Sequence, residues 1–241
     1  MAGVSGKNAE IRISTAETRV DDEPFIAHSD PTLAAMGVFA PTNGDKNWRY
    51  AAPGEAEAPI VTYISGAPAQ EKQIDSNSRF IHYAGGAVLI PPEDFPTLVP
   101  GSVSGSYTKV EMDLVGNLVT NERSFELNTE APTIDTTTIG EEFQTFVEGI
   151  PGFTGSLAGL YVNPDRYKLA LSNASGIIPR KVGRFKVRRD KPNTYFQGTV
   201  IFPTFNLSGA FDGAVERSVD FTGIGPLDLM EDGVPFFPGT V

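Results

Sequence analysis

Tyr107-Thr-Lys-Val-Glu-Met-Asp-Leu-Val115 carries the pattern from which the architecture is read. Val110, Met112 and Leu114 point one way along an extended chain, and Lys109, Glu111 and Asp113 point the other. Successive side chains leave a strand on opposite faces, so this is a strand with one face on a core and one in water. Ser124–Asn128 repeats the pattern with Phe125 and Leu127 inward. Upstream, Arg79-Phe-Ile-His-Tyr83, the small-residue turn Ala84-Gly-Gly86 and Ala87-Val-Leu-Ile90 predict a hairpin. Ala9–Thr15 and Ile60–Ser65 predict two further strands. Downstream, strands are predicted over 156–162, 166–172, 182–189, 194–203 and 214–222. In the last of these Val215, Val219 and Phe221 are set against Glu216, Ser218 and Asp220.

One segment leaves the strand period. Thr138-Ile-Gly-Glu141 is a capping box, and Ile139, Phe143, Phe146, Val147 and Ile150 follow at helical spacing. Gly149 and Pro151 stop the run. The spacing predicts an α-helix at about 139–148 that packs Ile139, Phe143, Phe146 and Val147 onto the sheet. Many strands and one helix imply a mainly β fold, an antiparallel β-sandwich or barrel with one short flanking α-helix and long loop arms. Residues 16–59 look different again. Glu17, Asp21, Asp22 and Glu23 form an acidic cluster, and Pro24, Pro31, Pro41 and Pro53 interrupt any period. This stretch reads as a surface arm, with a short helical turn near Thr32–Met36, of the kind that orders against a partner.

Composition narrows the function. The chain has 241 residues, 25 Gly, 19 Pro and no Cys, and its net charge is −11. It is long enough to bury a core without staples. Disulfides, thiolate metal sites and cysteine nucleophiles are excluded. Bulk acidity argues against nucleic-acid binding, which needs cations to displace counterions. The N-terminus lacks the apolar core of a signal peptide, and no run approaches the ~18 apolar residues of a membrane span.

Catalytic patterns are not found. The two histidines, His28 and His82, stand apart, and His28 with Asp30 is too few ligands for a metal. His82 sits in the predicted hairpin and reads as structural. Gly101-Ser-Val-Ser-Gly105 has the wrong spacing for a nucleophile elbow, and Gly223-Ile-Gly225-Pro226 lacks the third glycine of a dinucleotide fingerprint. No enzyme activity, cofactor or metal is expected. Trp48, the single tryptophan, reads as a packing anchor rather than a sugar platform.

Arg180–Lys191 holds seven cations and one acid, Asp190. Arg184, Lys186 and Arg188 share a strand face, with Phe185 and Val187 between them. Three readings stand: a solvated face, a patch that meets acids of a neighbouring copy, and a nucleic-acid patch.

Ala131-Pro-Thr-Ile-Asp-Thr-Thr-Thr-Ile-Gly-Glu-Glu-Phe-Gln-Thr-Phe-Val-Glu-Gly-Ile-Pro-Gly-Phe-Thr-Gly-Ser156 resembles the central segment of tailed-bacteriophage tail tube (major tail) proteins. So do Tyr195–Ser208 and Val219–Leu227, and, more weakly, Phe80–Ile90 with Val103–Tyr107. The resemblance covers about 100–227, and its weaker part reaches back to about 79. It implies a single tail-tube domain, with an N-terminal arm and elaboration at about 16–100, a core sandwich at about 100–227 and a C-terminal extension at 228–241. It implies a structural virion protein, assembled in the host bacterial cytoplasm, whose hexameric rings stack into a hollow tail tube. Its partners would be further copies of itself and the terminator, tape-measure and distal tail proteins. DNA would pass through the lumen without specific binding, past acidic walls that repel phosphate. Arms 16–59 and 228–241 would contact neighbouring copies, and Arg184, Lys186 and Arg188 would meet a neighbour's acids. The alternatives are a carbohydrate-binding or adhesin β-sandwich, and a tail terminator or distal tail ring.

Overall fold

The computed structural model describes residues 10–14, 16–76, 78–112, 118–119, 122–131, 133–135, 146–148, 151–160, 180–186, 191, 193–209 and 215–237. Among them the protein is mainly β, its paired strands are antiparallel, and its one α-helix is five residues long.

Most alternating segments form strands, but of Tyr107–Val115 the strand reaches only Val110: Glu111 and Met112 lie beyond it, and 113–115 lie outside the described residues. One sheet takes β1 (Glu10–Ile13), β9 (Leu118–Val119), β10 (Glu122–Glu130), β13 (Gly152–Leu160), β14 (Lys181–Lys186), β15 (Tyr195–Ser208) and β16 (Glu216–Glu231). Its order is β10-β13-β16-β15-β14-β1-β9, and a short eighth strand, β17 (Val234–Pro235), pairs with β16. The expected strand at 166–172 lies outside the described residues. Phe153, Leu157, Phe185, Val219 and Phe221 form this sheet's core, with the Phe185 and Phe221 rings stacked 5.0 Å apart.

β15 and β16 run 14 and 16 residues, longer than the pattern predicts. Pro203 and Pro226 cannot donate to a ladder and look like strand ends in the sequence. The pairing steps past both at irregularities, between Ile201 and Thr204 and between Gly198 and Thr199. At the second, Gly225 takes φ +77°, and a Cβ there would stand 2.4 Å from the Tyr50 ring. Only glycine meets both conditions.

A second sheet has seven strands in the order β5-β4-β8-β2-β3-β7-β6. These are β2 (Glu17–Ala27), β3 (Val38–Pro41), β4 (Ile60–Ser65), β5 (Gln70–Asp75), β6 (Ile81–His82), β7 (Ala87–Leu89) and β8 (Ser104–Val110). The 79–90 hairpin is present as β6 against β7. Stretch 16–59, however, is no surface arm. It supplies β2, α1 (Pro31–Ala35), β3 and three aromatic core residues, Phe25, Trp48 and Tyr50. Trp48 is buried, stacked 4.4 Å from the Tyr107 ring and 5.7 Å from Phe25, so it is a packing anchor. α1 stands at the predicted turn because the Asp30 carboxylate accepts from the Thr32 and Leu33 amides and Pro31 opens the first turn.

The helix expected at about 139–148 is not seen where it can be tested. Phe146–Glu148 is a strand, β12, paired with β11 (Thr133–Asp135). Phe and Val favour strands, and Thr133-Ile134 offers a β-prone partner. A ten-residue helix has little stability of its own to set against that pairing. Ile139 and Phe143 lie outside the described residues.

The C-terminal extension also folds back. Met230, Pro235 and Phe237 are buried, and Phe237 packs among Leu33, Val38, Ala87 and Leu89.

Candidate functional site

The sequence points to no reactive centre, so the places where chemistry or recognition would occur are the sheet edges, the cation run and the buried charges. β10 is the terminal strand of the eight-stranded sheet. It spans nine residues and, among the described residues, pairs only with β13 on one side. Phe125 and Leu127 turn inward to the core, while Ser124, Glu126 and Asn128 are exposed. At the C-terminal end of β10 begins a largely apolar groove of about 580 Å³ that crosses from there over β13 to β16 and β15, lined by Ala131, Pro151, Phe153, Phe196, Pro226 and Leu227 among others. An open edge of this length is a template for another chain.

The cation run is not a uniform surface patch. Arg184 is buried. Its Nε donates to Gln197 Oε1 at 3.2 Å, its terminal amino group donates to Asn47 Oδ1 at 2.8 Å, and the guanidinium lies 4.4 Å from the centre of the Tyr195 ring. Register places Arg12, Arg184, Gln197 and Asp228 side by side on one face across β1, β14, β15 and β16. Lys186 is half-buried at the end of β14. Arg188 lies outside the described residues. Arg180 pairs with Glu55, in the segment that joins Pro41 of β3 to Ile60 of β4.

Both histidines are structural. His28 Nδ1 accepts from the Asp30 amide at 3.1 Å, and burial lowers the imidazole below its usual pKa. His82 Nδ1 accepts from the Gly85 amide at 2.9 Å and Nε2 stands 3.0 Å from the Leu229 carbonyl, which fits a ring donating through Nε2. Among the described residues no three His, Asp or Glu side chains converge on a metal position, and no helix is long and apolar enough to cross a membrane.

Three carboxylates are built into the interior, and sequence pattern identified none of them. Glu23 accepts from the Tyr107 hydroxyl and from the Asn43 amide at 2.9 Å. Asp94 accepts from Tyr63 at 2.7 Å and from Lys72, which hold its carboxyl below the usual range. Asp228 accepts from the Ala84 amide at 3.0 Å, and its Oδ2 stands 3.9 Å from His82 Nδ1. Burial pushes the Asp228 carboxyl upward, against the pull of His82 and of the Ala84 and Tyr83 amides.

The sign of the Asp228 effect follows by linkage. A pKa higher in the folded chain gives stability that is complete below the unfolded value and is lost as pH rises through the folded one. Asp228→Asn keeps an oxygen for Ala84 and removes the charge. Urea midpoints of the wild type should therefore lose a component, as pH climbs above the ordinary carboxylate range, that the variant does not lose. Parallel pH profiles would contradict this.

No protein-family model and no curated protein matches the chain. Among solved structures it is similar to a chain from the tail of an empty gene transfer agent particle with C6 symmetry. That match has 17% identity and a TM-score of 0.40, and covers 49% of this chain and 91% of the other. It is also similar to a chain from the virion of a native gene transfer agent particle, at 17% identity and a TM-score of 0.39, covering 50% and 88%. Both likenesses are loose and extend over about half of this chain.

Proposed function

We propose that the protein is a structural virion protein of a phage-like tail, whose copies join through the edges of the eight-stranded sheet into hexameric rings that stack as a hollow tube. The observation that carries this reading is the edge strand β10, nine residues long and, among the described residues, paired only with β13. Backbone pairing at such an edge supplies affinity without sequence readout, and closing sheets into a ring removes the edges altogether. The net charge of −11 per copy, repeated around a ring, would keep a DNA cargo off the walls. Terminator, tape-measure and distal tail proteins are the partners this role requires.

Lys186 and Arg188 are the cations proposed to meet a neighbour's acids, such as Glu126 and Glu130 on the exposed side of β10. Arg184 would join them only by giving up its bonds to Gln197 and Asn47. Light scattering after size exclusion should show masses at multiples of the monomer, decreasing with added salt. Reversing Lys186 and Arg188 to Glu should shift the population toward monomer. A salt-independent distribution, unchanged in the reversal, would reject the charge contact. A terminator or distal ring would stop at one ring, and a tube subunit would continue. The carbohydrate-binding alternative has lost its aromatic platform, since Trp48 is buried under Tyr107 and Phe25.

A further inference from the structure

The seven-stranded sheet is an insertion. β1 and β9 pair directly within the eight-stranded sheet, Ile11 against Val119, yet every strand of the seven-stranded sheet falls between them in sequence. The chain enters and leaves the insertion at one place. Glu17 at the start of β2 pairs with Val110 at the end of β8, and the Glu111 amide donates to the Ala16 carbonyl at 3.2 Å. Val110 and Met112 pack there on Val182 of β14.

Each sheet has its own core. Phe25, Trp48, Val61, Tyr63 and Tyr107 belong to the insertion, and Phe153, Leu157, Phe185 and Phe221 to the eight-stranded sheet. Between the two runs a seam rich in polar contacts. Asn47 accepts from Arg184 at 2.8 Å, the Tyr50 amide donates to Thr199 Oγ1 at 3.0 Å, and the Ala84 amide donates to Asp228 at 3.0 Å. His82 meets the Leu229 carbonyl, and Glu55 pairs with Arg180. Groups of this kind exchange protein partners for water on opening, whereas the two apolar cores have no such substitute. Apolar contacts cross the seam too: Ile224 of β16 packs on the insertion's core, Tyr50 lies over Gly225 and Pro235 against Gly85, and the ring that enters from beyond β17 is Phe237. It follows β17 of the eight-stranded sheet, and its ring is buried in the insertion, 5.3 Å from the His82 ring.

We infer that the seven-stranded sheet is an inserted module that opens from the eight-stranded sheet as one body, pivoting where Val110 and Met112 meet Val182, with Phe237 as its latch. The inference concerns a single copy and does not depend on the assembly reading.

Residue-resolved amide exchange on the full chain tests it. Tyr50 and Ala84 are buried, and their amides donate across the seam. Val61 and Tyr63 in β4, and Val219 and Phe221 in β16, lie in strands flanked on both sides. The Tyr50 and Ala84 amides should share one protection level and exchange at least tenfold faster than those four, because one opening exposes both. Phe237→Ala should speed the two seam amides a further tenfold or more and leave the ladder amides unchanged. Phe237→Leu, a milder change, should move them in the same direction by less. Seam amides as protected as the ladders in the wild type, unequal protection of Tyr50 and Ala84, or equal acceleration of ladder and seam in a Phe237 variant would overturn the inference.

Discussion

Ending the chain at Leu227 should abolish cooperative folding. The deleted stretch completes β16, supplies β17 and carries three buried side chains, Met230, Pro235 and Phe237. Tyr195, Phe196 and Gln197 of β15 lose their register partners Met230, Leu229 and Asp228. The Ala84 amide loses its acceptor, and Leu33, Val38, Ala87 and Leu89 lose the ring that covers them. Truncating one buried Met or Phe costs about 2–5 kcal/mol, and whole domains are stable by only about 5–15 kcal/mol. Removing both, with a strand end and an amide left unsatisfied, exhausts that margin. The truncated chain should be insoluble, or should unfold in urea without a sigmoidal transition. A soluble truncated chain with the wild-type midpoint would restore the reading of 228–241 as a dispensable extension for contacts between copies.

Gly155→Ala should clearly destabilise the fold, and Gly152→Ala should be almost silent, although both lie in β13. Gly155 stands between Leu127 of β10 and Phe221 of β16. A Cβ there would come within 2.1 Å of the Glu126 carbonyl oxygen and 2.3 Å of the Phe221 ring. The ring cannot retreat freely, because it stacks on Phe185 and meets Phe202 edge-on. Overpacking typically costs about 1–3 kcal/mol and more where backbone must move. At Gly152 no atom lies within 4 Å of the added carbon, so the effect should stay within about 0.5 kcal/mol. Urea midpoints of the two variants measure the contrast directly, and equal midpoints would show that β10, β13 and β16 are not packed as described.

Strands with a clean period were legible in the sequence. Val110 and Met112 are buried as their alternation requires, and Phe125 and Leu127 pack inward from β10. α1 stands where a short helical turn was expected, near Thr32–Met36. What escaped the sequence escaped for identifiable reasons. Tyr50 enters the core from irregular chain, where no period marks it. Pro226 hides the continuation of β16 because the ladder steps around it. The helical spacing of Phe146 and Val147 is matched by strand pairing with a segment more than ten residues away, which a local pattern does not weigh. Alternation placed Arg184 and Lys186 on one face correctly, but nothing local says that Asn47, from the segment between β3 and β4, bonds to Arg184. The open edge of β10 is likewise a property of sheet order, which only long-range pairing reveals.

Negative-stain electron microscopy of the purified full-length chain, concentrated at low salt, tests assembly most directly. The account predicts six-fold rings and hollow tubes built from them, with rings lost when Lys186 and Arg188 are reversed to Glu. Monomers at every concentration, with no rings formed even when preassembled tail tips are supplied as initiators, would contradict it.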